Sequence, residues 1–405
     1  MSEHRPAPPA GTLSGRELDV VLFGATGFTG RLTAEYLAQQ APPGCRWALA
    51  GRDRGRLEAV RDRLTARDPA LADLPLLRAD VTDTGSLADL ASRARVVITT
   101  VGPYLEHGAP VVAACAEAGT DYVDLTGEPE FVDRTYLAHH DRAVRSGARL
   151  VHACGFESVP HDLGALFTVQ QLPAGVPLQV RGLVRSNATF SGGTFASALT
   201  ALSRTRRARA AHAERRRVEP GPEGRRVRGV AGPPHFDAVV GFWLVPLPTI
   251  DPVVVCRSAA ALDAYGPDFT YGHYAAVKRL PVLVGAVAAA GALGVCAQVP
   301  PLRRFLASRV PAGQGPSEQR RARSSFSVRV VGEGGGRRVL TEVRGGDPGY
   351  TETSKMLAES ALCLAFDDNP PTAGQVTTAT AMGERLTQRL VRAGLVFRVL
   401  GTEQV

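Results

Sequence analysis

The chain has 405 residues, 44% hydrophobic and 21% charged, the balance of an ordinary globular protein; this excludes a fibrous or low-complexity chain, and the length suggests two domains. Its net charge of +8 is concentrated between Arg204 and Arg228, where no aromatics interleave, so a solvated helix and loop is expected there and no nucleic-acid partner. Six scattered cysteines (Cys45, Cys115, Cys154, Cys256, Cys296, Cys363) form no C-x-x-C pair, which excludes a disulfide framework, gives no metal site and fits a reducing cytoplasm.

The first fifteen residues are polar and proline-rich, lack an apolar signal-peptide core and read as a disordered lead-in. From there strand and helix patterns alternate. Strands are expected at Asp19–Phe23, Arg46–Ala50, Leu76–Asp80, Val96–Val101, Tyr122–Leu125 and Arg149–Ala153. Helices are expected after Thr29 and over Leu57–Thr65, Thr84–Ser92, Gly108–Ala118 and Phe131–Ser146. This rhythm predicts an α/β fold whose N-terminal domain, residues 16–165, is a doubly wound parallel sheet. Beyond it Leu178–Arg185, Ser325–Val331 and Arg337–Arg344 read as antiparallel strands, the last two joined by a hairpin over Gly332–Gly336. Tyr350–Phe366 and Gly374–Ala393 read as helices. The expected division is a lead-in (1–15), a dinucleotide-binding domain (16–165), an α+β substrate domain (166–370) and a helical C-terminal segment (371–405).

The segment Val282–Val299, flanked by Lys278-Arg279 and Arg303-Arg304, is about as long as the shortest membrane span. Alanine and glycine dominate it, so a buried or interfacial helix is expected, with docking on a membrane surface as the alternative.

Chemistry gathers at the strand ends. Asp19–Gly30 is an apolar strand running into Gly24-x-x-Gly27-x-x-Gly30 at a helix start, the arrangement that places a pyrophosphate on a helix N-terminus. Gly24, Thr26, Gly27, Phe28, Thr29 and Gly30 are therefore candidate cofactor residues. The second strand ends in Gly51-Arg52, where an enzyme using NAD carries an acid. An arginine suits a ribose 2′-phosphate, so NADP(H) is the expected cofactor. Asp53 could pair with Arg52 or turn outward. Asp80 and Val81 could meet the adenine, or cap the next helix with Thr82 and Asp83. Val101, Gly102 and Pro103 close the fourth strand, where a ribose or nicotinamide can approach. Tyr104 could line that pocket or close the core.

Asp124–Glu128 and Cys154–Asp162 supply carboxylates, a hydroxyl and an imidazole that could serve as acid, base or anchor, or as helix caps. Tyr104 and His161 are the candidate proton donors. Tyr274-x-x-x-Lys278 has the spacing of a short-chain dehydrogenase pair but lies far from the glycine turn, and is set aside as a decoy.

In order along the chain, the segments 19–30, A-L-A-G-R (48–52), T-T-V-G-P-Y (99–104), 118–128, A-C-G-F-E-S-V-P-H-D-L-G (153–164), S-G-G-T (191–194), Y-G-P-D-F-T-Y (265–271), G-P-S-E (315–318) and A-M-G-E-R-L (381–386) resemble the saccharopine dehydrogenase-like oxidoreductases, in particular the actinobacterial trans-acting enoyl reductases. The resemblance implies a Rossmann NADP-binding domain and an α+β domain with a mostly antiparallel sheet. It also implies reduction of an enoyl double bond on a carrier-bound polyketide or lipid intermediate, in partnership with a synthase. That family often has Asp-Ser-Ile-Pro-Ser where this chain has Glu157–His161, so the resemblance gives this loop no role. A saccharopine-type reduction of an amino-acid imine, and a non-catalytic lipid-associated protein retaining a nucleotide-binding domain, are the competing expectations. The expected location is cytoplasmic, with membrane association as a further option.

Overall fold

The structure is a computed structural model and describes residues 15–188, 199–200, 202–299, 301–302, 305 and 315–405. Most of the lead-in, Ser191–Thr194 and Arg303-Arg304 lie outside the described residues. In chain order the first elements are β1 (Leu18–Phe23), α1 (Phe28–Gln40), β2 (Trp47–Gly51), α2 (Arg54–Thr65), β3 (Leu76–Arg78), α3 (Thr84–Arg93), β4 (Ala94–Thr99), α4 (Tyr104–His107), α5 (Ala109–Ala118), β5 (Asp121–Asp124), α6 (Pro129–Ser146) and β6 (Arg149–Val151). Then come α7 (Val159–Val169), β7 (Leu178–Ser186), α8 (Thr205–Val218), β8 (Arg226–Val230), β9 (His235–Asp237), β10 (Phe242–Pro246), α9 (Asp251–Ala261), β11 (Asp268–Val277) and α10 (Leu280–Gln298). The chain closes with α11 (Glu318–Ala322), β12 (Phe326–Gly334), β13 (Arg337–Gly345), α12 (Thr351–Phe366), β14 (Gly374–Val376), α13 (Thr378–Ala381), α14 (Gly383–Arg392) and β15 (Val396–Gln404).

Two compact units result. The first holds the chain up to Thr126, Phe131–Gly155 and Thr353–Arg389; the second holds Gly127–Glu130, Phe156–Glu352 and Leu390–Val405. In the first unit seven parallel strands stand in the order β14-β6-β5-β4-β1-β2-β3. Every residue of β1 is buried, as its unbroken apolar run requires for a strand covered on both faces. Aspartates start the helices that return the chain: Asp53 and Asp83 accept from the amides of Arg56 and Ser86. Gly119, at φ +71°, ends α5 in the left-handed conformation that glycine adopts without strain.

The second unit carries an eight-stranded mixed sheet in the order β15-β13-β12-β7-β11-β10-β9, with β8 paired to β11. The pairs β7–β11 and β8–β11 are parallel and the others antiparallel. The expected hairpin is present but tighter than its glycine run suggests. Only Gly335 and Gly336 turn, at φ +57° and +72°, while Gly332–Gly334 stay in the ladder. Gly332 is needed there for packing, because an added Cβ would stand 2.7 Å from the Thr168 methyl.

Several expectations are corrected. The C-terminal stretch read as helical is a short strand (β14), two helices (α13 and α14) and a nine-residue strand (β15). Gly394, at φ +96°, stops α14, with Leu395 N–H returning to the carbonyl of Leu390. The chain then pairs with β13. Strands β8 to β11 were not anticipated, and they place Tyr274 on β11 and Lys278 just past its end, so the spacing does not lie on a helix face. Tyr274 packs with Leu183, Leu244 and Val331 in the core of the second unit.

The arginine cluster is largely solvated, as expected, with Arg206, Arg207, Arg209, Arg216, Arg217, Arg226 and Arg228 exposed, but some of its arginines have internal partners. Arg204 grips Glu130 through two nitrogens at 2.8 and 2.7 Å, the buried Arg215 pairs with Glu219, and Arg228 pairs with Asp268 at 2.7 Å. Arg225 donates to the carbonyls of Ala259, Leu262 and Gly266. Along α10, Val295 is exposed and Ala297 buried, so the apolar segment is not a wholly enclosed helix. Among the described residues no helix is long and apolar enough to cross a membrane.

The β12–β13–β15 ladder carries a charged rung. Arg329 and Arg398 stand directly opposite Glu342 on its two neighbouring strands. The Glu342 carboxylate accepts from Ser327 at 2.8 Å, from Arg329 at 3.3 Å and from Arg398 at 2.6 Å. Burial pushes its pKa up, but the hydrogen bonds from Arg398, Ser327 and Arg329 outweigh this and hold it below the ordinary glutamate value. A depressed carboxylate pKa contributes stability that is present above the unfolded value of about 4.3 and is lost as pH falls through the folded value. Urea midpoints should therefore drop below about pH 4 more steeply for the native chain than for Glu342→Gln. Parallel profiles would show that the rung adds nothing.

Candidate active site

The order β3-β2-β1-β4-β5-β6 reverses between β1 and β4, and this switch point is where open α/β sheets bind their ligands. Three glycines shape it, each for a different reason. Gly24, at φ +88°, turns so tightly that an added Cβ would meet the Thr100 hydroxyl at 2.7 Å and the Val101 methyl at 2.8 Å. At Gly30 an added Cβ would collide with the carbonyl of Gly24, so this glycine lets α1 pack on the turn. Gly27 differs: it is exposed, and its added Cβ would touch only the Gly24 carbonyl, at 3.4 Å. The space above it is open, as close approach of a pyrophosphate demands.

Helix α1 starts directly after Gly27 with no side-chain cap and no acid in its first turn. The positive end of its dipole is thus available to an anion. Thr26, Phe28 and Thr29 are half-buried around the turn, and Arg31 steadies it by donating to the Thr26 carbonyl at 2.7 Å. Since Gly27 has φ −70°, Gly27→Ala should change stability by less than about 1 kcal/mol. NADPH affinity, measured by fluorescence titration, should nevertheless fall by roughly tenfold or more. An unchanged affinity would mean that no phosphate approaches this turn.

At the end of β2, Gly51 is buried and Arg52 exposed. Asp53 does not pair with Arg52 but turns outward, the second role open to it in the sequence, with its side chain 58% exposed. Its carboxylate caps α2 and lies 3.6 Å from Arg56, so Arg52 has no hydrogen-bond or ion-pair partner among the described residues. After β3, Asp80 folds back on Thr82, accepting from its amide and hydroxyl at 2.9 Å each; these bonds lower its pKa. Capping of α3 falls to Asp83, and Val81 is half-buried beside it.

Across the switch point, the Thr100 hydroxyl donates to the Gly24 carbonyl at 3.1 Å, and Val101, Gly102 and Pro103 follow, with Gly102 exposed. The Tyr104 hydroxyl donates to the Thr99 carbonyl at 3.1 Å and accepts from the Leu125 amide at 3.2 Å. Its ring is buried against Phe131.

Behind β5 and β6 lies a closed polar network. One Asp124 oxygen meets the Tyr122 hydroxyl at 2.9 Å and His152 Nδ1 at 2.7 Å; the other accepts from the amides of Thr126 and Ala153, both at 3.0 Å. His152 Nε2 lies 3.2 Å from the Thr135 hydroxyl, which reaches Gln375 on β14. Ala153 is held at φ +58°, unusual for a residue with a side chain. Cys154 is buried, as a packing residue would be.

In the second unit, Glu128 and Ser158 are buried, and Asp162 accepts from the Ser258 hydroxyl at 2.5 Å. His161, in the first turn of α7, is 2% exposed, and its Nδ1 stands 2.7 Å from the carboxylate of Asp251. His273 Nε2 stands 3.4 Å from the other oxygen of that carboxylate. Burial lowers the His273 pKa to about 4 against the pull of Asp251. Burial also opposes ionisation of Asp251, yet the two imidazoles and Thr249 hold its pKa at about 2. The sequence reading missed Asp251 and His273. They come from distant segments without motif spacing, and only the fold brings them to His161.

Comparison with known proteins agrees with this geometry. Residues 20–151 match the saccharopine dehydrogenase NADP-binding domain. A Mycobacterium tuberculosis protein provisionally named a trans-acting enoyl reductase is 40% identical over 418 aligned positions, covering 95% of this chain and 98% of that one. This chain belongs to the trans-acting enoyl reductase family. Another family member, the trans-acting enoyl reductase of Mycobacterium ulcerans, is 36% identical, with 94% and 97% of the two chains covered. Saccharopine dehydrogenase from Saccharomyces cerevisiae shares the fold, with a TM-score of 0.56 at 12% identity over 95% of this chain and all of that one. The family's chemistry is NADP-dependent oxidoreduction, and NADP(H) is the cofactor here. The open turn at Gly27, the uncapped start of α1 and the unpaired Arg52 fit that dinucleotide.

Proposed function

We propose that this protein reduces the double bond of an enoyl thioester, carried on a polyketide or lipid synthase that lacks its own enoyl reductase, with hydride delivered to the β-carbon. The observation behind this reading is the similarity to proteins named trans-acting enoyl reductase, which runs through both units over 95% of the chain. Bound NADPH would supply the hydride. Gly24, Gly27 and Gly30 would seat its pyrophosphate with Thr26, Phe28 and Thr29 around them, and Arg52 would hold its 2′-phosphate beside Gly51. Asp80 and Val81 would flank the adenine, and Val101, Gly102 and Pro103 the nicotinamide side.

Hydride arrival at the β-carbon throws charge onto the thioester oxygen, and the α-carbon then takes a proton. Tyr104 is the better of the two candidate donors, because it opens α4 just beyond the carboxyl end of β4, at the edge of the parallel sheet where ligands sit. To donate, its hydroxyl must release the Thr99 carbonyl. His161 is enclosed by Asp251 and His273, which suits a role among those neighbours better than proton delivery.

Reduction of an amino-acid imine would require unpaired cations for the substrate carboxylates. Arg204, Arg215, Arg225 and Arg228 all have internal partners, which disfavours them as anchors. The test is turnover of a carrier-linked enoyl thioester with NADPH deuterated at the transferred position. Deuterium at the β-carbon of the saturated product is the expected result. NADPH binding without turnover would sink the proposal in favour of a non-catalytic role.

A further inference from the structure

We propose that His161, Asp251 and His273 form a divalent transition-metal site, suited to Zn2+ or Co2+, inside the second unit. The three side chains are 2%, 3% and 4% exposed and come from α7, α9 and β11. One donor atom from each lies within 4.8 Å of the other two. Two imidazoles and a carboxylate are a donor set that such cations favour over Ca2+ or Mg2+.

Hydrogen bonding leaves this cluster unsatisfied. His161 Nε2 is buried and has no hydrogen-bond partner among the described residues. His161 Nδ1 and Asp251 Oδ1 face each other at 2.7 Å, and neither atom has a hydrogen bond to any other described residue. Thr249 also reaches the Asp251 carboxylate. Buried polar atoms without partners are rare and call for a cause.

The pair His152–Asp124 in the first unit provides an internal contrast. There both imidazole nitrogens and both carboxylate oxygens have partners, as a purely structural histidine–aspartate pair requires. The cluster around Asp251 instead brings one donor atom from each of three groups within 4.8 Å of one another. A tetrahedral zinc site has bonds of about 2.0–2.2 Å, which places its donors roughly 3.3–3.6 Å apart. The separations here, from 2.7 Å to no more than 4.8 Å, bracket that spacing. His273 also has the outer partner that metal-bound histidines usually carry: its Nδ1 lies 3.2 Å from the Tyr271 hydroxyl, leaving Nε2 to face Asp251. A cation at this point would link α7, α9 and β11.

The test uses the full chain, stripped of metal with a chelator and titrated with Co2+. About one equivalent should bind per chain, with a visible absorption band that Zn2+ abolishes by displacement. Asp251→Asn and His273→Gln should each weaken binding by more than the roughly 10–100-fold that losing an outer partner such as Tyr271 costs. Tyr271→Phe should fall within that smaller range. If the native chain binds no stoichiometric Co2+, the proposal is overturned. Equal binding by a folded Asp251→Asn would also overturn it. The native titration decides the matter even if a variant does not fold.

Discussion

Arg52→Ala should weaken NADPH binding by about 10–100-fold while changing NADH binding much less. The range follows from charge-assisted hydrogen bonds of about 1.5–3 kcal/mol at about 1.4 kcal/mol per decade. The guanidinium is exposed at the end of β2, and no described residue neutralises it through a hydrogen bond or ion pair. Its neighbour Asp53 is held by the start of α2. Asp53→Ala should therefore cost about 1 kcal/mol of stability through the lost cap, with no change in cofactor preference. Isothermal titration of both cofactors against both variants separates the two roles. If Arg52→Ala lost NADH and NADPH affinity equally, Arg52 would not be reading the 2′-phosphate.

Asp124→Ala should be strongly destabilising, by about 3–5 kcal/mol. The carboxylate is fully buried and serves Tyr122, His152 and two backbone amides. Alanine leaves all four without their acceptor and removes what holds Ala153 at its left-handed φ. The loss should appear as a fall of about 6–20 °C in the unfolding temperature. Asp124→Asn, which keeps one acceptor oxygen, should fall between the two. A loss below about 1 kcal/mol in Asp124→Ala would mean that water replaces the carboxylate at little cost.

Much of the first unit was legible in the sequence because each signal there is local. Buried parallel strands appear as apolar runs, Asp53 and Asp83 mark helix starts, and a glycine turn between strand and helix has one main use. Expected strand ends differ from observed ones by one or two residues, as when Val96–Val101 becomes Ala94–Thr99. The second unit was harder. Strand β11 carries Gly272 and two tyrosines without clean alternation, and it becomes a strand because β7, β8 and β10 supply its partners. In β15 the run Val396–Leu400 continues the apolar pattern of α14, so Gly394 was the one local sign of the break.

The sequence by itself determined the parallel sheet, the glycine turn after its first strand, NADP(H) as the cofactor and the family. These rest on residues within about thirty positions of one another or on runs preserved in order along the chain. Only the tertiary structure decided that Asp53 leaves Arg52 unpaired, that Tyr104 bonds two backbone groups and that Arg204, Arg215, Arg225 and Arg228 of the basic region find partners. It alone also brought His161, Asp251 and His273 together across more than a hundred residues. The physical reason is range. Turn chemistry and hydrophobic period act along the chain, whereas the partner of a buried polar group is set by which segments the core brings side by side.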